Sequence, residues 1–315
     1  MPICEEDPWR KQYFENVACP DDVNIPTEDG DAWVWYPAHK WIYNKLSIAE
    51  RQGLTWGPHG RAPASGPGFS QPVVNRRDMG ADSQIFRSEK EYKTHQRPGH
   101  MWMPLFEGEH VSSDVAVVDG QARWWRHVIG MPLEGGMFDY WKVLADDRPG
   151  IESYCGDWIA KHMGGYTGMM NFETMGAQII EAHLRFSDQW PDLYGKGWIA
   201  ALVRLYAEKT WQFDDSDRRD GYSVVLFGAH GVQYRHPPAG LVDELRQTPG
   251  VSSIQITFHE DRSPRMHSMP PGGFRLAIVN CDDLETGRRV REKLALSYWS
   301  TQQLLTRRKG KAAAE

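Results

Sequence analysis

Cysteine and long apolar runs are both scarce in this sequence of 315 residues. Its four cysteines, Cys4, Cys19, Cys155 and Cys281, lie far apart and form no CxxC pair. Their spacing therefore indicates neither a zinc site nor a disulfide framework, and a reducing cytosol is the expected compartment. The chain begins with an acidic, polar stretch rather than the apolar core of a signal peptide, and no apolar run has the length of a membrane span. We expect a cytoplasmic protein with no membrane partner.

An excess of charge of either sign is missing as well, because 36 basic and 42 acidic residues leave a formal net charge of −6. A nucleic acid is therefore not an expected partner, since binding to a phosphate backbone depends on clustered basic residues. The GxSxG motif of serine hydrolases is absent, and the 12 histidines include no HxH or HxxxH pair. The sequence thus points away from nucleic-acid binding, serine hydrolysis and a histidine-pair metal site.

The sequence does contain enough apolar residues, 40%, for two domains or for one domain of several subdomains. Residues 1–32 are predicted to be an irregular arm. Helical and extended patterns follow it without internal repeats. The elements predicted first are a strand at Trp33–Tyr36, a helix at Trp41–Gln52, a hairpin of Pro72–Asn75 with Ser83–Phe86, and a Ser-capped helix at Ser88–His95. Later ones include strands at Met101–Phe106, Val111–Val118 and Ala122–Val128, and helices at Ile151–Met163, Trp198–Lys209 and Glu285–Tyr298.

The most informative stretch is a predicted hairpin. Two short apolar segments, Met169–Thr174 and Gln178–Leu184, are separated by a turn around Gly176. Because side chains alternate between the faces of a strand, the second strand divides into two sets. Its core set is Ile180, Ala182 and Leu184, and its opposite face carries Glu181, His183 and Arg185.

On the first strand, Asn171 and Glu173 share one face. A three-residue loop at Gly176–Gln178 would place Glu173 directly opposite Glu181. Two opposed carboxylates repel each other, so a bound cation would explain why both are present. Magnesium takes such oxygen ligands and often completes its shell with phosphates, and Arg185 could bind a phosphate or carboxylate. The pattern alone is equally compatible with a surface hairpin that carries a Glu–Arg ion pair.

Several motifs, taken in order, resemble those of the ATP-grasp superfamily, most closely its biotin-carboxylase-like branch of carboxylate–amine ligases. The resemblance covers roughly residues 41–193, and more loosely the chain to about residue 296. The segments that carry it are YNKLSIAERQGLTWGP, PVVNRR, DMGADS, MWMPLFEGEH, and NFE followed by IIEAHLR. The last pair matches the family pattern FE…hhExNxR, in which h is an apolar residue.

The resemblance implies a nucleotide site. The residues that it assigns to the ATP phosphates are Lys45, Arg76, its neighbour Arg77, and Gly80. The family usually has lysine where Arg76 stands, and a richer glycine loop around Gly80. Met103 to Leu105 would offer backbone groups to adenine, and His110 would contact the ribose or a phosphate.

The same resemblance assigns roles on the hairpin. Glu173 and Glu181 align with the magnesium ligands, and Arg185 with the arginine of the reaction centre. His183 stands where the family has asparagine. An imidazole nitrogen suits manganese better than magnesium, so the expected cofactors are ATP and Mg²⁺, with Mn²⁺ as an alternative.

Candidate substrate contacts are less closely tied to the family pattern. They are Arg123, Arg126, Asp139, Tyr140, Asp188 and Arg275. Asp188 follows the catalytic arginine, and the arginines could bind a carboxylate. Core packing is the alternative for Tyr140, and a surface ion pair is the alternative for Arg275.

The fold class that follows is α+β: an ATP-grasp fold of two α+β lobes clasping ATP, plus a C-terminal α+β segment. The predicted parts are a short N-terminal arm at 1–40, lobe A at 41–100, lobe B with the metal hairpin at 101–220, the C-terminal segment at 221–300, and a basic, disordered tail at 301–315. Relatives carry a full lobe before the ATP-binding lobes. The short arm leaves the substrate wall incomplete, so we expect a homodimer.

The predicted function is an ATP-dependent ligase that activates a small-molecule carboxylate as an acyl phosphate and joins it to an amine or another nucleophile. Its partners would be small-molecule acid and amine substrates. A small-molecule kinase on the same fold is one alternative, and a catalytically weakened nucleotide-binding subunit is another. The retained Glu173, Glu181 and Arg185 argue against the last of these, because a pure binding module has no need of all three.

Overall fold

The computed structural model describes residues 6–63, 66–74, 82–266 and 270–312, with side chains through Tyr298 apart from that of Arg265. The helices are α1 (Pro8–Lys11), α2 (Asp29–Trp35), α3 (Lys45–Arg51), α4 (Glu89–Thr94), α5 (Pro149–His162), α6 (Trp198–Glu208), α7 (Ala239–Arg246) and α8 (Leu284–Ala312). Short 3-10 helices lie at Lys40–Tyr43, Glu134–Gly136, Pro191–Tyr194 and Pro264–Met266. The predicted phosphate-binding residues Arg76, Arg77 and Gly80 lie outside the described residues.

The strands of the first half are β1 (Gly57–Pro58), β2 (Gly68–Pro72), β3 (Gln84–Phe86), β4 (His100–Pro104), β5 (His110–Val118) and β6 (Gln121–Pro132). Those of the second half are β7 (Phe138–Val143), β8 (Gly168–Met175), β9 (Gln178–His183), β10 (Gly221–Gly228), β11 (Val251–Ile256) and β12 (Phe274–Cys281). Together with the helices they form a mixed α+β architecture, as the sequence predicts.

The chain divides into two units: a first unit of Met1–Ile129 with Leu144–Arg218, and a second unit of Gly130–Val143 with Arg219–Glu315. The four-part division predicted from the sequence stays a prediction. In the first unit, β1, β4, β2 and β3 form an antiparallel sheet in that order. A second run of antiparallel strands follows the order β6, β5, β8 and β9.

The core of the first unit holds the hairpin that carries the candidate site. Ile159 of α5, Val115 of β5, Phe172 of β8 and Ala182 of β9 are fully buried in one apolar cluster. Helix α5 therefore packs on one face of these strands, because its apolar side chains meet theirs. The opposite face of β8 and β9 is left for polar side chains.

In the second unit the strands follow the order β11, β12, β10 and β7, all antiparallel. Val242 of α7 and Leu294 of α8 are buried against Val224 of β10 and Val279 of β12. The backbone of α8 continues as helix to Ala312, into the segment predicted to be a tail.

Three of the predicted elements need correction. The predicted strand at Trp33–Tyr36 is wrong, because these residues belong to α2 and to its C-terminal cap. Ala32 is fully buried, whereas Trp33 and Val34 are 42% and 68% exposed. A short aromatic run has no period that distinguishes strand from helix, and the buried Ala32 anchors it as a one-faced helix.

The predicted helix at Trp41–Gln52 is two helices. Asn44 separates the 3-10 helix from α3 and caps α3, since its side chain accepts a hydrogen bond from the Leu46 N–H at 3.0 Å. The strand that pairs with Ser83–Phe86 was predicted at Pro72–Asn75, but it is β2, in which Gly68 pairs with Phe86. Strand β2 ends at Pro72, which has no N–H to donate to a neighbouring strand. The Ser88 cap of α4 is confirmed, with its hydroxyl accepting from the Glu91 N–H at 3.2 Å.

Candidate metal centre

The hairpin of β8 and β9 has the register that the sequence predicts, with Glu173 opposite Glu181 and Asn171 opposite His183. The expected three-residue loop is wrong, however. Met175 pairs with Gln178, so the turn has two residues, Gly176 and Ala177, both at positive φ (55° and 67°). Such a turn matches the twist of the strands. A Cβ on Gly176 would lie 2.3 Å from the Glu107 carbonyl oxygen, so glycine is required there.

A β-bulge restores the predicted pairing of the two glutamates. Thr174 pairs with Ile179 and Glu173 with Glu181, which leaves Ile180 as the extra residue. In consequence Ile179 is fully buried, and the prediction that Ile180 points into the core is wrong. The two-residue turn and the bulge offset each other, so the face that carries Glu181 and His183 is the predicted one.

Three side chains on this face come together. Glu173, Glu181 and His183 each offer a ligand atom, and these atoms all lie within 4.8 Å of one another. The side chains of the three residues are 33%, 15% and 6% exposed. Two carboxylates and an imidazole at this separation fit a divalent cation of the Mg²⁺ or Mn²⁺ type, and the nitrogen favours the second. It is the only group of this kind found in the described part of the chain.

Two residues predicted to bind ATP also contact this face. The Lys45 ammonium donates to Glu181 Oε2 at 3.2 Å and to Gln71 Oε1 at 3.1 Å. His110 Nε2 lies 3.3 Å from Glu173 Oε2. Burial alone would raise the pKa of Glu173, but the hydrogen bond and charge of His110 outweigh it and lower that pKa. Glu173 is thus held ionised, as a carboxylate metal ligand must be.

Asp29, at the start of α2, is the residue of this cluster that sequence reasoning missed. Its carboxylate accepts hydrogen bonds from His183 Nδ1 at 3.0 Å, from Arg185 Nη2 at 3.2 Å and from the Tyr43 hydroxyl at 3.2 Å. Arg185 Nε lies 3.0 Å from the other carboxylate oxygen. Burial opposes ionisation, yet the charges of Arg185 and His183 keep the pKa of Asp29 well below its usual range. A separation of 154 residues from His183 leaves no local signal for this contact.

The same contacts raise the pKa of two basic groups. Burial lowers the pKa of His183, but Asp29 more than offsets it, so that this pKa is raised. Arg185 likewise keeps its charge, because Asp29 outweighs the effect of burial on its pKa. The guanidinium also donates from Nη1 to the Phe186 carbonyl at 3.3 Å, and the Arg185 side chain is 20% exposed.

A buried aspartate anchors the backbone that follows Arg185. Asp114 of β5, 1% exposed, accepts hydrogen bonds from the Ser187 N–H at 2.9 Å, the Tyr194 hydroxyl at 2.8 Å and the Asn171 side chain at 2.7 Å. These bonds connect β5, β8 and the segment after β9. The end of β9 is therefore held rigidly, which favours a precise placement of the residues around it.

Comparison with known proteins gives the fold. No family model matches the sequence, and no curated protein matches it. An L-amino acid ligase from Bacillus licheniformis superposes with a TM-score of 0.57 at 12% identity, over 91% of this chain and 82% of that one. Phosphoribosylamine–glycine ligase from Thermotoga maritima superposes with a TM-score of 0.57 at 14% identity, over 87% and 83%. Both are ATP-grasp ligases. The chain has the ATP-grasp fold.

A third solved structure holds ligands. It is the biotin carboxylase domain dimer of 2-oxoglutarate carboxylase from Hydrogenobacter thermophilus, in complex with MgADP, ADP and bicarbonate. Its TM-score is 0.51 at 13% identity, over 79% of this chain and 63% of that one. At these identities the likeness establishes the ATP-grasp fold alone. No helix in the described part of the chain is both long and apolar enough to cross a membrane.

Of the remaining candidates in the first unit, Arg126 is only 1% exposed. It lies 3.6 Å from Asp215 and donates to the Tyr194 carbonyl at 3.4 Å, which is the environment of a packed side chain. Arg123 is exposed. Asp188 accepts from Arg10 Nε at 2.5 Å, so the N-terminal arm reaches the segment after Arg185. Met103 is buried in β4, and Leu105 follows that strand. Their predicted roles stay predictions.

The other substrate candidates belong to the second unit. Asp139 accepts from Arg288 Nη2 at 3.0 Å and also pairs with Arg291. Tyr140 packs against the apolar cluster of that unit with Arg288 over its ring, which agrees with the packing alternative. Arg275 is partly buried in β12. These three roles also stay predictions.

A hydrogen-bonded Ser–His–Glu chain is also present in the first unit. Ser113 Oγ lies 2.8 Å from His127 Nδ1, and His127 Nε2 lies 2.9 Å from Glu152 Oε1. Ser113 is 0% exposed and His127 is 1% exposed. A nucleophile must meet its substrate, so this chain of bonds stabilises the sheet and does not indicate a hydrolase.

Proposed function

We propose that this protein is an ATP-dependent ligase that activates a small-molecule carboxylate as an acyl phosphate and joins it to an amine or another nucleophile. The observation that carries the proposal is the cluster of Glu173, Glu181 and His183, whose ligand atoms lie within 4.8 Å of one another in an ATP-grasp fold. Arg185 follows the end of β9 and shares the Asp29 carboxylate with His183. Two of the superposed structures are named as ligases of amino compounds, which supports the same reaction class here.

In this proposal Glu173, Glu181 and His183 would hold the divalent cation, Mg²⁺ or Mn²⁺. When bound, the cation supplies positive charge to the β- and γ-phosphates of ATP. Further positive charge for the phosphates would come from Lys45, Arg76 and Arg77, and Gly80 would belong to the loop over the phosphates. Met103 and Leu105 would contact the adenine, and His110 the ribose or a phosphate.

The proposed reaction has two steps. A carboxylate oxygen of the substrate attacks the γ-phosphorus of ATP, the bond to the β-phosphate oxygen breaks, and ADP leaves. The amine nitrogen then attacks the carbonyl carbon of the acyl phosphate, phosphate leaves with the bonding electron pair, and the nitrogen releases a proton to water. Negative charge develops on the carbonyl oxygen in the second step. Arg185 would stabilise that charge, because its own charge is kept by Asp29.

The test is ADP and phosphate release, measured with a panel of carboxylic acids in the presence and absence of a panel of amines. Release that requires both an acid and an amine is the expected result. A phosphorylated acid that accumulates as final product would instead identify a small-molecule kinase. No nucleotide turnover with any pair, alongside normal MgATP binding, would identify a nucleotide-binding subunit.

Two further expectations belong to the proposal. One is a homodimer, in line with the domain dimer among the superposed structures. Light scattering of the purified protein measures it directly, and a monomer would remove this expectation. A cytoplasmic site of action is consistent with Cys19, Cys155 and Cys281, the described cysteines, which are free thiols.

A further inference from the structure

Asp29 connects the N-terminal helix α2 to both kinds of functional group on the hairpin. One of its carboxylate oxygens accepts from His183 Nδ1 at 3.0 Å and from Arg185 Nη2 at 3.2 Å. The other oxygen lies 3.0 Å from Arg185 Nε and accepts from the Tyr43 hydroxyl at 3.2 Å. A single side chain thus sets the orientation of a candidate metal ligand and of the candidate catalytic arginine.

The contact to His183 determines which ring nitrogen is left for a metal. Because Nδ1 donates to Asp29, Nε2 is the nitrogen that remains to act as ligand. A carboxylate behind a histidine fixes the ring and makes its other nitrogen a stronger metal ligand. His183 is 6% exposed, so the ring has little room to turn by itself.

We infer that Asp29 is a positioning residue that presents His183 Nε2 to the divalent cation and holds Arg185 beside it, and that the site in consequence prefers Mn²⁺ to Mg²⁺. The preference follows from the nitrogen ligand, since imidazole suits first-row transition metals and magnesium prefers oxygen. This inference rests on the proposed function for the metal itself.

A second role for Asp29 has to be separated from this one. Its carboxylate contacts Arg185 as a substrate carboxylate would, so the alternative is that Asp29 blocks the substrate site. A blocker needs only the arginine. Asp29 is also bonded to His183 and Tyr43, which makes it part of a fixed network and favours positioning.

The experiment measures Mn²⁺ and Mg²⁺ binding to the full-length protein, without turnover. Free Mn²⁺ is followed by electron paramagnetic resonance, and Mg²⁺ affinity is obtained by competition. The variants are Asp29→Asn, His183→Asn and the double variant, with Asp31→Asn on the same helix as matched control. Asp29→Asn should weaken Mn²⁺ binding about tenfold and Mg²⁺ binding much less. His183→Asn should do the same, the double variant should be no worse than His183→Asn, and Asp31→Asn should bind like the parent.

The double variant separates the possible outcomes. Equal losses of Mn²⁺ and Mg²⁺ affinity, or losses that add in the double variant, would overturn the positioning role. Unchanged Mn²⁺ affinity with faster turnover in Asp29→Asn would identify a blocker and also overturn it. If the parent itself binds neither ion, with or without an ATP analogue, the proposed function falls together with the inference. Thermal melts accompany each variant, and Asp29→Glu, which keeps the carboxylate, should recover part of the Mn²⁺ affinity if Asp29→Asn does not fold.

Discussion

Two charged clusters of this protein use carboxylates in opposite ways. In the second unit, Asp139 is a single carboxylate with two arginines, Arg288 and Arg291. In the first unit, Glu173 and Glu181 face each other across a hairpin, and each meets a basic group, His110 or Lys45. The first arrangement is complete without any ligand. The second holds two like charges together, and a cation relieves that repulsion better than the side chains do.

Both clusters contain ion pairs, so an ion pair alone does not indicate a binding site. Burial raises the pKa of Asp139, yet hydrogen bonds from Arg291 and Arg288 outweigh it and lower that pKa. Glu173 is also held ionised in spite of burial. What separates the two is the opposed carboxylate and the imidazole of His183 within ligand distance. Variants of the two clusters should therefore differ in what they lose.

The largest expected effect is that of Glu181→Gln. Loss of a metal ligand should reduce turnover on the order of a thousandfold, while the thermal melt stays close to that of the parent, because repulsion with Glu173 is relieved. Turnover with the acid and amine pair and a melting curve measure the two effects. A variant that melts normally and turns over at nearly the parent rate would show that the hairpin is structural. The two clusters would then not differ in function.

Arg185→Ala should have the next largest effect. Its charge is needed as the carbonyl oxygen becomes anionic, so ligation should fall about a hundredfold or more, while ATP affinity stays nearer to normal. Turnover and nucleotide binding measured on the same preparation separate these two effects. Arg185→Lys keeps the charge and should recover part of the turnover. An equal loss of ATP affinity and turnover would place Arg185 on the nucleotide instead.

Lys45→Ala tests a basic residue of the cluster that holds Glu173 and Glu181. Its ammonium now donates to Glu181 and Gln71, and we expect it to meet the ATP phosphates. The apparent ATP constant should rise about tenfold, or about 1.4 kcal/mol. Lys90→Ala, at an exposed position of α4, is the matched control and should bind ATP like the parent. Unchanged ATP affinity in Lys45→Ala would contradict its assignment.

Asp139→Asn should show the reverse behaviour, with a loss of stability and no loss of turnover. Two arginines would be left beside a neutral amide, which should lower the free energy of unfolding by about 1–3 kcal/mol. Chemical denaturation measures the loss, and the KM for the acid serves as the second readout. A raised KM with unchanged stability would instead support the substrate role predicted from the sequence.

A smaller effect is expected in the pH dependence of the free energy of unfolding, which should differ between Asp139→Asn and the parent. The pKa of Asp139 is lowered in the folded protein, so its ionised form stabilises the fold at any pH above its unfolded pKa of about 4. That stabilisation is lost as the pH falls through the lower, folded pKa. Asp139→Asn should therefore lose less stability than the parent as the pH is lowered below about 4. Parallel stability curves would exclude the arginine pairing as a source of stability.

Much of the candidate site could be predicted from the sequence because it depends on local geometry. Side chains alternate along a strand because of its backbone geometry. This alternation predicted that Glu181 and His183 share one face of the hairpin with Glu173, the cross-strand partner of Glu181. The same alternation predicted the wrong isoleucine in the core, since Ile179 is buried there and Ile180 is the extra residue of the bulge. The difference depends on a two-residue turn and a compensating bulge, and an alternation pattern contains no signal for either.

What only the tertiary structure decided lies at long sequence separation. Asp29 reaches His183 across 154 residues, and it belongs to a segment where the sequence predicts an irregular arm and a strand. Its position depends on Ala32, which is buried in the core of the first unit. The burial of Arg126, which is 1% exposed, likewise has no signal in the local sequence. A sequence determines periodicity because neighbouring residues share backbone geometry, whereas contacts between distant residues depend on the path of the whole chain and on how its core packs.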